Sequence, residues 1–379
     1  MMKPVALAEI DLGAIAHNVR ALKSLTASDV RMMAVVKADG YGHGAVAVSR
    51  TALENGACEL AVARISEAVT LREAGIDSPV LIFGYVFPEM AEELIELNLR
   101  ASIHSLPLAE ALSHEAGRIR KKLKVHLKID TGMGRLGLLP GNKVLNDDCC
   151  IGKVRKIAAL PWLELEGIYT HFANADMADK THAREQLFKF LEILGALKAK
   201  GIDFPLRHAA NSAALIEMPE SHLNMVRPGI SIYGCYPGPE VDRSLVELRP
   251  AMTLKSGIVQ VKEVPRGFPV SYGSTFITEK PSRIATVSIG YADGYNRLLS
   301  SRGFMLVRGE RAPVVGRVCM DLTLIDVTHI ENVQIGDEAV LFGRQGEVAL
   351  HVDEMADLIG TISYELISGI SSRIPRIYH

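Results

Sequence analysis

The chain of 379 residues has little net charge, few cysteines and no long apolar run. Its formal net charge is −2, so it lacks the basic excess that draws in nucleic acid or an anionic membrane, and a small partner is expected. The five cysteines (Cys58, Cys149, Cys150, Cys235 and Cys319) are odd in number, scattered and without CxxC spacing. That pattern predicts reduced, mostly buried thiols in a cytosolic protein, with the adjacent Cys149–Cys150 pair at the surface in the polar stretch LNDDCC. No segment approaches the ~20 apolar residues of a membrane span. The N-terminal MMKPVALAEIDL carries Glu9 and has no apolar core long enough for a signal peptide. A soluble, cytoplasmic protein is expected. Low-complexity segments and internal repeats are also missing, apart from a simple alternation of elements.

What the chain does have is the content of an ordinary globular protein, 48% hydrophobic and 23% charged, in a length that suits one large domain and a smaller one. Eight short apolar runs read as strands: 32–37, 59–63, 79–84, 100–105, 124–130, 166–171, 205–211 and 224–234. Amphipathic stretches lie between them, including 44–57 and 181–201. In the latter, Leu187, Phe190, Leu191, Leu194 and Leu197 fall on one helical face. Strand then helix, repeated over about 230 residues, predicts an α/β fold of the (β/α)8 barrel type. A doubly wound sheet is the rival, but its usual GxGxxG turn is missing. After Pro237–Gly238–Pro239 the texture changes to β-branched runs broken by Gly, Pro and Asp. A second, mostly β domain is expected from about 243, closed by one helical piece near the C-terminus.

Reactive groups in a barrel sit at the C-terminal ends of its strands. Lys37 closes the first candidate strand, Arg64 follows the second and His171 closes the sixth. His208, Asn211 and Ser212 follow the seventh, and Arg227 punctuates the eighth. Any one of these could be a strand end meeting solvent; jointly they outline a site. In the fifth strand, His126, Lys128 and Asp130 alternate with Val125, Leu127 and Ile129. The outer helices take the apolar face, which turns the ionisable face inward unless a bulge shifts the frame. Lys128 buried there must find a partner or lose its charge. TGMGRLG follows and puts Arg135 on a glycine-rich loop.

The stretch AVVKADGYGHG ends an apolar run on Lys37, ahead of Gly40, Gly42 and Gly44. An amine at the mouth of a core, beside other cations, is depressed in pKa and able to attack a carbonyl. Schiff-base chemistry follows, with either a sugar-like substrate or a pyridoxal phosphate aldehyde. The glycines, with RPGIS at 227–231, let backbone N–H groups meet a phosphate, to which Tyr41 could add a hydroxyl. No metal-ligating cluster is evident.

Nine motifs then resemble, in order, the signature segments of bacterial alanine racemase: AVVKADGYGHG, KIDTGMGRLG, THFANAD, HAANSAA, MVRPGISIYG, VSYGSTF, IGYADGY, GRVCMD and SYELI. AEIDLGAIAHNVRAL resembles the family's opening, and the likeness covers essentially the whole chain. It implies a homodimeric fold-type III enzyme using pyridoxal 5'-phosphate. The barrel would span 11–242, and a β domain of 1–10 and 243–379 would complete the partner's active site. By position, Lys37 matches the lysine that binds the cofactor and serves one face of the substrate Cα. Tyr272 matches the tyrosine through which the partner subunit serves the other. Tyr41, Ser212, Gly229, Ile230 and Tyr364 match the phosphate pocket, and Arg227 the group facing the pyridine nitrogen. His171 and His208 match a hydrogen-bonded chain with Arg227, and Asn211 lies in the same HAANSAA motif. Arg135 and Met320 match contacts to the substrate carboxylate. Lys128 matches a lysine often carbamylated in the family, and Tyr291 with Tyr364 the pair that narrows the entrance. The implied reaction interconverts L- and D-alanine for cell-wall peptidoglycan. A serine or broad-specificity racemase, a decarboxylase and a non-enzymatic pyridoxal carrier are the alternatives. The first would want a wider entrance, and the second would set an acid against the ring nitrogen. The third would leave the β domain unexplained.

Overall fold

The computed structural model of the chain describes residues 5–140 and 150–379; Cys149 lies outside the described residues. Two compact units are present. One comprises Ile15–Gly40 and Ala45–Arg249; the other comprises the residues up to Ala14, Tyr41–Gly44 and Pro250–His379.

The first strand, β1 (Ala6–Ile10), belongs to the second unit. The first unit is a closed barrel of eight parallel strands: β2 (Arg31–Val35), β3 (Glu59–Val62), β4 (Val80–Ile82), β5 (Leu99–Ile103), β6 (Leu123–Lys128), β7 (Leu163–Tyr169), β8 (Leu206–His208) and β9 (Met225–Val226). Every residue of β3, β4 and β5 is buried, as expected of strands covered on one face by helices and on the other by the barrel interior. The expected eightfold alternation is therefore present, with shorter strands. β2 stops at Val35, two residues before Lys37, and β7 stops at Tyr169, two before His171. The eighth barrel strand is two residues long, not the eleven of 224–234. Pro228 has no N–H to continue the ladder, and Ile230–Tyr233 form a 3₁₀ turn instead.

A bulge does occur next to the fifth barrel strand, but in its neighbour. Val125 pairs with Leu165 and His126 with Gly167, which leaves Glu166 as the extra residue of β7. Gly167 is required there, since a Cβ would lie 2.5 Å from His126 Nδ1. The helix Thr181–Lys198 buries Ala183, Gln186, Leu187, Phe190, Ile193 and Leu197. Leu191, expected on that face, is exposed, and Ile193 takes the inward position.

In the second unit the 13-residue strand β10 (Met252–Val264) pairs antiparallel with β1, with Ser282–Val287 and with Glu338–Gln345. Residues Arg376–Tyr378 add a parallel strand beside β1. The expected single C-terminal helical piece is two helices, Val352–Ile359 and Ser363–Ser368, separated at Gly360, which adopts φ 71. Cys150, expected at the surface, is buried at the start of the helix Cys150–Ala158, while Cys58 is exposed. Among the described residues no helix is long and apolar enough to cross a membrane.

Candidate active site

Lys37 leaves the barrel on a turn of unusual hand. Ala38, Asp39, Gly40 and Tyr41 have φ of 53, 52, 60 and 51, a left-handed run that costs about 1–2 kcal/mol for each residue carrying a Cβ. Three hydrogen bonds hold it. Gly40 N donates to Val36 O at 2.9 Å, Asp39 Oδ1 accepts from Ala45 N at 2.8 Å, and Glu67 Oε1 accepts from Ala38 N at 2.5 Å. Burial lowers the pKa of the Lys37 amine, and the Arg135 guanidinium lowers it further, against a smaller opposing pull from Glu67.

The barrel interior behind Lys37 is a relay of directed hydrogen bonds. Arg227 is buried and can only donate. Its Nη1 donates to His208 Nδ1 at 2.8 Å, so the proton of His208 sits on Nε2 and is donated to His126 Nδ1 at 2.9 Å. His126 Nε2–H then faces Glu166 Oε2 at 3.4 Å, and Arg100 Nε donates to that same oxygen at 2.9 Å. Tyr169 stacks on His208 with ring centroids 4.8 Å apart. Nη2 of Arg227 donates to the carbonyls of Thr170 and Ala209 and lies 3.4 Å from His171 Nδ1. Burial first, then the Arg227 charge, holds both His171 and His208 well below the usual imidazole range, so both rings stay neutral. Burial brings Arg227 down to about 10, which leaves it a cation at neutral pH.

Lys128 is buried as expected, and among the described residues no carboxylate forms an ion pair with it. Burial, then the charges of Arg135 and Arg227, bring its amine down to about 8. Asp130 does not turn inward beside it. β6 ends at Lys128, and the Asp130 carboxylate accepts from the backbone N–H groups of Gly132, Met133, Gly134 and Arg135 at 2.8–3.1 Å. Its role is to build the loop that carries Arg135.

Ser212 Oγ accepts from Gly229 N at 2.9 Å and from Ser231 N at 3.4 Å, which ties the loop after β8 to the loop after β9. Ile230 is buried there, and the buried Ser231 hydroxyl has no hydrogen-bond partner among the described residues. Asn211 caps the helix Ser212–Glu217 by accepting from Ala214 N at 3.0 Å. In the second unit, the rings of Tyr41 and Tyr364 lie 6.2 Å apart. Tyr272 (69% exposed), Met320 and Tyr291 belong to that unit and are all exposed. The last two are coupled: Tyr291 N donates to Cys319 O and Ala292 N to Met320 O, each at 3.0 Å.

Three polar groups escaped the reading of the sequence. Glu166 is the bulge residue of β7, and Tyr169 is the last residue of the same strand. Glu67 stands three residues after Arg64, a helix-start spacing that could have drawn attention to it.

Fold and site together define a (β/α)8-barrel protein with a second β domain and a lysine of lowered basicity at the strand ends. Models of the alanine racemase N-terminal and C-terminal domains match residues 10–237 and 251–378. The chain is 53% identical over 376 residues to the alanine racemase of Desulfosudis oleivorans, covering 98% of this chain and 96% of the relative. It is 48% identical over 371 residues to that of Methanococcus maripaludis, covering 98% of each. The solved alanine racemase of Bacillus anthracis, with bound L-Ala-P, is 38% identical with a TM-score of 0.93, covering 100% of this chain and 96% of that one. The biosynthetic enzyme of Pseudomonas aeruginosa is 34% identical with a TM-score of 0.86, covering 100% of both. The chain belongs to the alanine racemase family, whose members are isomerases.

Proposed function

We propose that this chain interconverts L- and D-alanine with pyridoxal 5'-phosphate, as a cytoplasmic homodimer that supplies D-alanine for peptidoglycan. The observation that carries this reading is Lys37: burial and Arg135 lower its basicity, at the mouth of a barrel of this family. The residues present fit the cofactor. The Ser231 hydroxyl beside Ser212, Gly229 and Ile230, without a partner among the described residues, is a buried donor suited to a phosphate oxygen. Lys37 would hold the aldehyde carbon. Ser212, Gly229 and Ile230, with Tyr41 and Tyr364, would hold the phosphate, and Arg227 would meet the pyridine nitrogen. When bound, pyridoxal phosphate draws electron density from the alanine Cα and so acidifies its C–H bond.

The chain's own groups do the rest. Lys37 Nζ takes or returns the proton on one face of Cα, and Tyr272 from a second copy serves the other. Inversion needs a base on each face, because exchange on one face returns the same hand. The high exposure of Tyr272 and Met320 suits residues offered to a second copy. Arg135 and Met320 would hold the substrate carboxylate, and Tyr291 with Tyr364 would restrict the side chain to about a methyl group. Arg227 keeps its proton and bonds to His208 rather than to an acid. Facing the pyridine nitrogen, Arg227 would keep its proton and so leave the ring a weaker electron sink, which would suit racemisation rather than decarboxylation. The amine of Lys128, brought down to about 8 beside Arg135 and Arg227, is suited to carbamylation, which would convert a stranded cation into an anion facing Arg135.

Solvent-deuterium washin tests the reading. Purified protein offered L-Ala, L-Ser and L-Lys separately in deuterated water should label and invert alanine alone. Preferential inversion of serine, or labelling of alanine without inversion, overturns it.

A further inference from the structure

We infer that Glu67 is a positioning residue for Lys37: its two carboxylate oxygens clamp together the loops after β2 and β3 and hold the left-handed turn that presents the lysine. This inference rests on the proposed role of Lys37.

The argument starts from the strain in that turn. Three of its four residues carry a Cβ at φ near 50, and such a run persists only when its surroundings over-determine it. Most of its bonds come from nearby in the chain, through Val36, Asp39 and Ala45. Glu67 is different. It lies on the helix Ile65–Glu73 that follows the neighbouring barrel strand. Its Oε1 accepts from Ala38 N at 2.5 Å, and its Oε2 accepts from Ala63 N at 2.8 Å and from Arg64 N at 2.9 Å. One oxygen serves the lysine's turn, and the other serves the end of β3, a strand fully buried in the barrel wall. The carboxylate thus references the lysine's turn to the rigid part of the barrel, as precise placement of a reacting group requires. The charge of Glu67 also bears on the Lys37 amine, opposing the depression caused by burial and Arg135.

The chemistry requires a carboxylate. All three partners are N–H donors, and an ionised carboxyl presents acceptors on both arms. Glutamine has the same shape but one acceptor oxygen, so its amino group must face a donor and one loop is released. Aspartate keeps both acceptors but is one methylene too short to bridge both loops.

The test uses Glu67→Gln and Glu67→Ala in the full-length protein, with the exposed Glu73→Gln on the same helix as control. Hydrogen–deuterium exchange over residues 37–41 should rise about tenfold in both Glu67 variants and stay unchanged in the control, while β6 and β7 keep wild-type protection. For alanine in both directions, kcat should fall about tenfold, with KM within about twofold of wild type, since placement of the base is lost but binding contacts remain. Unchanged exchange over 37–41 overturns the clamp. Raised exchange with unchanged kcat overturns the positioning role. If the wild-type protein fails to racemise alanine, the proposed function falls instead, and the exchange contrast still decides the clamp.

Discussion

Burial lowers the amines of both Lys37 and Lys128; the Arg135 charge lowers both further, and the charges of Arg227 and Lys37 add to the effect on Lys128. Lys37→Ala is expected to abolish racemisation and the imine absorbance of the purified protein; a retained imine band would move the cofactor to another lysine. Tyr272→Phe is expected to slow proton abstraction from one enantiomer of alanine far more than from the other, read as the solvent-deuterium washin rate for each. Glu166 shows how a half-buried acid supports the relay. Burial alone would raise its carboxyl, but the hydrogen bonds from His126 and Arg100 and the Arg100 charge outweigh burial and hold it well below the usual carboxylate range. Because the folded pKa lies below the unfolded value near 4.5, this stabilisation is complete above that pH and is lost as pH falls through the folded value. Glu166→Gln should therefore cost about 2 kcal/mol in urea unfolding at neutral pH, and the gap from wild type should narrow in acid.

Elements are shaped as much by their ends as by their periodicity. The loop after β6 is organised by one carboxylate receiving four backbone N–H groups. Asp130→Ala should cost about 2–3 kcal/mol and loosen Arg135, seen as raised exchange over 131–137 and weaker substrate binding. Gly137 returns the chain to β6 at φ 140, where a Cβ would come within 2.5 Å of Asp130 N, so Gly137→Ala should disturb the same loop. Alternation correctly separated His126 and Lys128 from the apolar positions of β6. It could not foresee that Asp130, past the strand end, would turn to the loop. Helical spacing likewise located the helix Thr181–Lys198 but chose Leu191 over Ile193. Periodicity gives a stripe, and the curvature of the packed surface selects its members.

For the whole molecule, the proposed sharing of each active site between two copies makes a quantitative prediction. Lys37→Ala and Tyr272→Phe variants, each with little or no activity alone, should recover up to about a quarter of wild-type activity when mixed and allowed to exchange subunits. Random pairing makes half the dimers mixed, and each mixed dimer has one site free of both substitutions. No recovery, with mixed dimers verified by mass spectrometry, would put both groups in one chain.

Order along the chain, read by itself, determined the eightfold strand–helix alternation, the change to β texture near 243, the lysine after an apolar run and the family resemblance. These are local or additive properties, written in hydrophobic period, turn chemistry and motif order. Only the tertiary structure decided the rest: the left-handed turn beneath Lys37, the direction of the hydrogen bonds from Arg227 through His208 and His126 to Glu166, and the carboxylate of Glu67 shared by two loops. The relay and the shared carboxylate depend on donors and acceptors far apart in sequence that barrel closure brings within hydrogen-bond reach, and the turn takes one such bond, from Ala38 N to Glu67; no pattern along a single strand or helix encodes which distant partner will be there.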